Sequence, residues 1–144
     1  MKLAIATQEK KRAEIGSTHL EIHKSLSYIA REFSLTSLCI MLDARTSKLE
    51  YDRKYLESCE RMDSARALIE MHFPDAGELI NKLHGQMNIF WGNFTEVSAL
   101  LTSNDQSGRR HIFQEKANLA ALEIEELVFK AKYKLNNIAR ELTK

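Results

Sequence analysis

The feature that most constrains the fold of this chain is the spacing of its apolar residues, which recur in alternating steps of four and three. One unbroken run consists of Ala76, Ile80, Leu83, Met87, Phe90, Phe94, Val97 and Leu101. A second run consists of Phe113, Ala117, Ala120, Ile124, Leu127, Ala131, Leu135, Ile138 and Leu142. This spacing puts the apolar side chains on one stripe of an α-helix and is typical of coiled-coil-like helix bundles.

Few signals interrupt the helical pattern, because the chain has one proline and five glycines. Ser47 and Glu50 form a capping-box pattern. Phe73 ends a helix because the residue before a proline avoids the α conformation. A polar loop covers residues 102–108. These breaks predict four helical segments, at 7–44, 47–73, 75–102 and 108–143.

The first segment contains one ambiguous position, Gly16. It could end a short helix, with Thr18 and Glu21 capping the next one, or it could lie inside a continuous helix. Ile15 keeps register with Ile22, which favours continuity. The apolar positions predicted for the first segment are Ile15, Ile22, Leu26, Ile29, Phe33 and Ile40. Those predicted for the second segment are Tyr55, Cys59, Met62, Ile69 and Phe73.

The short connections predict antiparallel neighbours. We therefore expect an all-α fold, in which residues 1–144 form a single domain and an antiparallel up-down-up-down four-helix bundle with longer first and fourth helices. Those two helices should project about 13 Å beyond the others. The projection would include Ile5, Ile15, Leu135, Ile138 and Leu142. Either a second chain covers these residues or the amino-terminal end is frayed.

Charge and composition narrow the classes of partner. The chain has 21 Lys and Arg against 20 Asp and Glu, a net charge of +1. This balance argues against a nucleic-acid or anionic-membrane partner. No stretch approaches the ~20 apolar residues of a membrane-spanning helix, and the amino-terminal apolar run is too short for a signal peptide. Cys39 and Cys59 are expected to be reduced core thiols, which predicts a cytoplasmic protein.

A face of small residues is predicted on the third helix. Gly85, Gly92 and Ala99 recur every seven residues opposite its apolar seam, and Ile89 lies among them. Each glycine should cost the helix about 1 kcal/mol relative to alanine. The face would let another helix or a ligand approach the backbone closely. The alternative is that the glycines are tolerated on a solvent-exposed face.

The fourth helix carries a second apolar stripe opposite its core seam, consisting of Leu119, Leu122, Phe129 and Tyr133. A helix that packs along one seam does not need such a stripe, so we expect it to bind a partner. A skewed bundle that buries a wider arc of this helix is the alternative.

Several side chains could carry chemistry. His19 and His23 lie at i and i+4, which makes half of a metal site, but further ligands are not evident, so we predict neither metal nor cofactor. A polar and aromatic stripe on the third helix could line a small-ligand pocket or form a boundary layer between core and water. It consists of His84, Asn88, Trp91 and Thr95.

Arg66 falls within the apolar seam of the second helix, where its charge needs a partner such as Asp63 or Glu70. Together with His72 it resembles the Arg and His motif of the HEPN superfamily, in which four to six residues separate the two. The resemblance covers residues 66–72 and implies RNA binding or cleavage. Arg66 would stabilise phosphate charge and His72 would transfer a proton.

The leading hypothesis is a non-catalytic interaction or scaffold module that forms a homodimer and binds a protein partner. Its partner-binding residues would be those of the glycine face and of the fourth-helix stripe. One alternative is a small-ligand-sensing bundle, and a second is a HEPN-like protein that uses Arg66 and His72.

Overall fold

The computed structural model describes residues 2–144, and no β-strand occurs among them. The chain forms five α-helices: α1 (Lys2–Glu32), α2 (Leu35–Asp43), α3 (Lys48–His72), α4 (Gly77–Thr102) and α5 (Arg109–Leu142). A 3-10 turn at Pro74–Ala76 precedes α4. The prediction of an all-α fold is confirmed, but the helices number five rather than four.

The prediction of one helix over residues 7–44 is wrong, because α1 ends at Glu32 and α2 begins at Leu35. The Ser34 side chain caps α2 by accepting a hydrogen bond from the Ser37 backbone N–H at 3.1 Å. This break resets the helical phase. Leu38 and Met41 are buried, whereas Ile40, predicted to be in the core, is 62% exposed.

The other breaks lie within two residues of their predicted positions. Ser47 accepts a hydrogen bond from the Glu50 backbone N–H at 3.2 Å, which caps α3. Gly108 has φ 84°, a left-handed conformation that glycine adopts readily, and α5 follows it. Gly16 lies inside α1, so the predicted continuity there is confirmed.

The helices pack in a closed order, with α1 against α3 and α5, α3 against α4, and α4 against α5. Side-chain contacts give their directions. The Arg61 guanidinium lies 4.3 Å from the Tyr28 ring centre, and the Phe73 ring lies 6.3 Å from that of His19. The residue with the higher number at the end of α3 thus contacts the residue with the lower number in α1. The two helices therefore run in opposite directions.

One apolar cluster contains residues from all five α-helices. The predicted seam of α4 is buried from Ala76 to Val97, after which Leu100 is buried in place of Leu101. The largest fully buried side chains include Phe73, Phe90 and Phe94. Cys39 is exposed, which contradicts its assignment to the core, and Cys59 is half-buried.

The first and last long helices have 31 and 34 residues, against 25 for α3 and 26 for α4. Every residue from 3 to 14 is exposed, including Ile5, whereas Ile15 and Leu135 are buried. The start of α1 thus projects from the core. Within residues 2–144, no helix is both long and apolar enough to cross a membrane.

Candidate functional site

The polar and aromatic stripe of α4 is joined to α3. Trp91 Nε1 donates a hydrogen bond to Asp52 Oδ1 at 2.9 Å. The Trp91 ring stacks on Tyr55, with 5.1 Å between ring centres and 17° between planes. The Tyr55 hydroxyl donates to Asn88 Oδ1. Burial, followed by the neighbouring Cys59, raises the pKa of Tyr55, so the phenol keeps its proton and remains a donor.

Thr95, the last residue of that stripe, makes its side-chain hydrogen bond within α4. Its hydroxyl donates to the Trp91 carbonyl oxygen one turn earlier, at 2.8 Å. Three residues of the stripe are therefore hydrogen-bonded to α3, and the fourth is hydrogen-bonded to its own helix.

Arg66 crosses from α3 to the same stripe. Its Nη2 donates to His84 Nδ1 at 2.6 Å, and its Nη1 lies 3.6 Å from Asp63 Oδ1. Asp63 is thus the ion-pair partner among the two predicted carboxylates. Burial, and then the Arg66 charge, lower the pKa of His84, so the ring is neutral and its Nδ1 can accept. The Arg66 Nε is buried and has no hydrogen-bond partner among the described residues.

His72 lies at the end of α3, with its ring centre 6.3 Å from that of Phe73. The Arg66 guanidinium is directed to His84, on α4, rather than to His72. The RNA hypothesis stays a prediction. Incubating labelled single-stranded RNA with the parent protein and with the Arg66→Ala and His72→Ala variants tests it.

The glycine face of α4 is open. Apart from its chain neighbours and its own helix backbone, a Cβ atom added at Gly85 or Gly92 would meet no atom within 4 Å, so packing within this chain does not require glycine at either position. Ile89 is 46% exposed, and Ala99 is exposed as well.

The apolar stripe of α5 is also open. Leu119, Leu122, Phe129 and Tyr133 are exposed by 61, 48, 70 and 63%. At about 100° per residue they occupy an arc of about 80°, centred opposite the buried residues of the helix. No described residue of the chain covers this arc, which we name the α5 outer face.

Charge along α5 is distributed unevenly. Residues 115–126 contain four glutamates and one lysine, whereas residues 130–140 contain three lysines, one arginine and no acidic residue. One ion pair joins the two parts, between Lys130 Nζ and Glu126 Oε1 at 3.0 Å. Residues 115–126 are thus acidic and residues 130–140 basic, whereas the helix begins with Arg109 and Arg110.

A cleft of about 600 Å³ lies between the α2–α3 connection and the end of α4. Met41, Phe94 and Leu101 supply apolar walls, and Arg45 and Lys48 supply positive charge. No carboxylate lines it. The prediction of a ligand pocket at His84 and its neighbours named only one residue of this cleft, Thr95. The cleft depends on α2, which the sequence did not separate from α1.

His19 and His23 both contact Asn136 on α5. Within residues 2–144, no group of three or more His, Cys, Asp or Glu side chains is gathered as a metal site. Comparisons with protein-family models, curated proteins and solved structures found no match for this chain.

Proposed function

We propose that this chain is a self-associating interaction module, in which two copies pack antiparallel through the α5 outer face. In this proposal the four long helices form an up-down-up-down bundle and α2 closes one end. The observation that carries the proposal is the row of exposed aliphatic and aromatic side chains on α5.

The apolar row favours association because it forms a continuous stripe. Outward faces of bundle helices are ordinarily polar, and aligned exposed apolar residues are typical of protein-binding surfaces. Fully burying one such side chain is worth about 1.5–3 kcal/mol. Four from each copy supply enough to offset part of the entropy lost on association.

The charge distribution favours an antiparallel second copy over a parallel one. An antiparallel pair centred near Glu126 places the acidic half of one α5 over the basic half of the other. Glu123 then faces Lys130 of the second copy, and the same contact recurs by two-fold symmetry. A parallel pair would instead oppose like charges, including Lys130 against Lys130, which disfavours association.

Glu126 lies close to the proposed two-fold axis, where two carboxylates approach each other. The ion pair with Lys130 within the same helix offsets this repulsion. The centre of the interface is therefore compatible with an antiparallel arrangement.

The proposal is tested by combining Leu122→Glu with Phe129→Glu and measuring mass by light scattering. We expect the parent to be a dimer and the variant to be a helical monomer, because the glutamates put four charges into the interface. The matched control combines Leu56→Glu with Met71→Glu on α3, where the side chains are 62 and 74% exposed. A monomeric parent, or a double variant that keeps the dimer mass, would contradict the proposal.

A protein partner is proposed to bind at the glycine face of α4. Its small side chains permit close backbone approach, and Ile89 offers an exposed apolar contact. We expect Gly92→Leu to block this approach. The measurement is a pull-down with the parent and with this variant. If both capture the same proteins, the glycine face is not a partner-binding surface.

The cleft beside α2 supports a second candidate function, which is binding of a small amphipathic anion. Its volume is that of an ordinary ligand pocket. Arg45 and Lys48 line it, and because the Lys48 Nζ lies 3.4 Å from Asp52 Oδ2, Arg45 is the main positive charge available to an anion. Calorimetry with decanoate should show binding that weakens in Arg45→Gln and is weaker still for uncharged decanol. Equal binding of decanoate by the parent and by Arg45→Gln would contradict this site.

A further inference from the structure

Two histidines of α1 and one asparagine of α5 converge on a single point. His19 Nε2 lies 2.8 Å from Asn136 Oδ1, and His23 Nε2 lies 3.1 Å from the same oxygen. The two imidazole rings are 4.9 Å apart between centres and are inclined by 76°. All three side chains are half-buried.

We propose that His19, His23 and Asn136 form a binding site for a divalent late transition metal ion of the copper and nickel class. As described, both Nε2 atoms share the Asn136 oxygen, so each ring donates its proton to it. If the ring protons move to Nδ1, both Nε2 lone pairs become free. Two nitrogens are then available within 3.1 Å of the Asn136 oxygen.

The ligand types, rather than the distances, indicate the class of metal, because 2.8 and 3.1 Å are ordinary hydrogen-bond distances between the Nε2 atoms and Asn136 Oδ1. Octahedral and square-based sites of mixed nitrogen and oxygen ligands suit Ni²⁺ and Cu²⁺, with water in the remaining positions.

Two further side chains define the surroundings of the three residues. Lys132 is held one turn away, where its Nζ donates to Ser27 Oγ at 2.6 Å. On the other side the Phe73 ring lies 6.3 Å from that of His19 and forms an apolar wall.

The metal would join α1 to α5, since the histidines belong to one helix and the asparagine to the other. Binding should therefore stabilise the folded chain as well as saturate at one equivalent. The stabilisation is a readout that does not depend on any activity of the protein or on its self-association.

The test is titration with Cu²⁺ alone, followed by calorimetry, thermal unfolding and electron paramagnetic resonance. We expect one equivalent to bind, the Tm to rise and the spectrum to show two coordinating nitrogens. His19→Ala and His23→Ala should each weaken binding at least about tenfold, and Asn136→Ala should weaken it by a smaller factor.

His111→Ala, which removes an exposed histidine of α5, is the matched control and should bind as the parent does. Should either alanine variant fail to fold, His19→Gln keeps a polar side chain that cannot supply imidazole nitrogen. Absence of saturable binding, or parent-like affinity in the His19 and His23 variants, would overturn the proposal.

Discussion

Two stripes of side chains with similar spacing differ in whether another part of the chain contacts them. The α4 stripe of His84, Asn88 and Trp91 is bonded side chain by side chain to α3. The stripe of the α5 outer face contains residues as large, yet no other part of the chain covers it. The sequence predicts both stripes as candidate sites. They differ in the structure because polar side chains can form hydrogen bonds to a neighbouring helix and apolar side chains cannot.

Polar side chains of the α4 stripe form hydrogen bonds within the chain, because α3 places donors and acceptors at the same levels along the bundle axis. Asp52 accepts from Trp91, and Arg66 donates to His84. Apolar side chains on α5 make no such directional bonds, and burial alone can stabilise them. An apolar stripe left open is therefore better evidence for a partner than a polar stripe that is already paired.

The largest expected effect is on the α3–α4 contact. Trp91→Ala removes the stacking on Tyr55 and the bond to Asp52, and should lower the free energy of unfolding by about 2–4 kcal/mol. Urea denaturation at several protein concentrations measures this. The loss should be the same at every concentration, whereas the loss from Phe129→Ala should grow with concentration as dimerisation becomes important. If both variants lose the same free energy of unfolding at every concentration, the two stripes do not differ in the way proposed.

A smaller effect concerns pH. The pKa values of His84 and His23 are lowered in the folded chain, so the unfolded chain binds more protons as the pH falls below about 6.5. Stability should therefore decrease toward lower pH until the folded-state pKa values are passed. Because both side chains are half-exposed, the loss should be on the order of 1 kcal/mol or less.

Denaturation curves between pH 7 and pH 5 check this dependence. His84→Gln should flatten it, since glutamine has no proton to gain. The α5 outer face consists of aliphatic and aromatic side chains, so the mass of the proposed dimer should change little. A stability that rises as the pH falls would show that the histidines are not held neutral.

The smallest expected effect separates tolerated from required glycine. Gly92→Ala should raise the free energy of unfolding by about 1 kcal/mol, because the added Cβ meets no atom within 4 Å and alanine favours helix. Gly108→Ala should act in the opposite direction by a similar amount, since φ is 84° there. Thermal unfolding at low concentration measures both. A destabilised Gly92→Ala variant would mean that the face is covered even in the monomer.

Much of the helical layout could be predicted from the sequence. The alternating seam of α4 and α5 is long and regular, so the phase of each helix is determined over many turns, and proline and a polar loop mark the ends. The break at Ser34 was harder to find, because the apolar pattern continues through it. The only local signal is a serine that precedes an apolar run and caps it.

Contacts between distant residues could not be predicted in the same way. His19 and His23 share a helix face by spacing alone, but their contact with Asn136 depends on how far α1 and α5 are displaced along each other. The cleft likewise depends on where α2 lies. A single sequence indicates which face of each helix is buried. These sites also depend on how far separate helices are displaced along one another, which a single sequence does not give.

Spin-label distances across the assembly test most directly whether an antiparallel second copy covers the α5 outer face. Labels are attached at Lys116→Cys or Glu125→Cys, with Cys39→Ala and Cys59→Ala removing the native thiols. At 1.5 Å per residue, an antiparallel pair centred near residue 126 separates the two 116 positions by about 30 Å along the axis, and the two 125 positions by about 3 Å. We predict a long distance for the first pair and a short one for the second. Similar short distances at both positions would indicate a parallel pair, and absence of coupling at both would contradict self-association through this face.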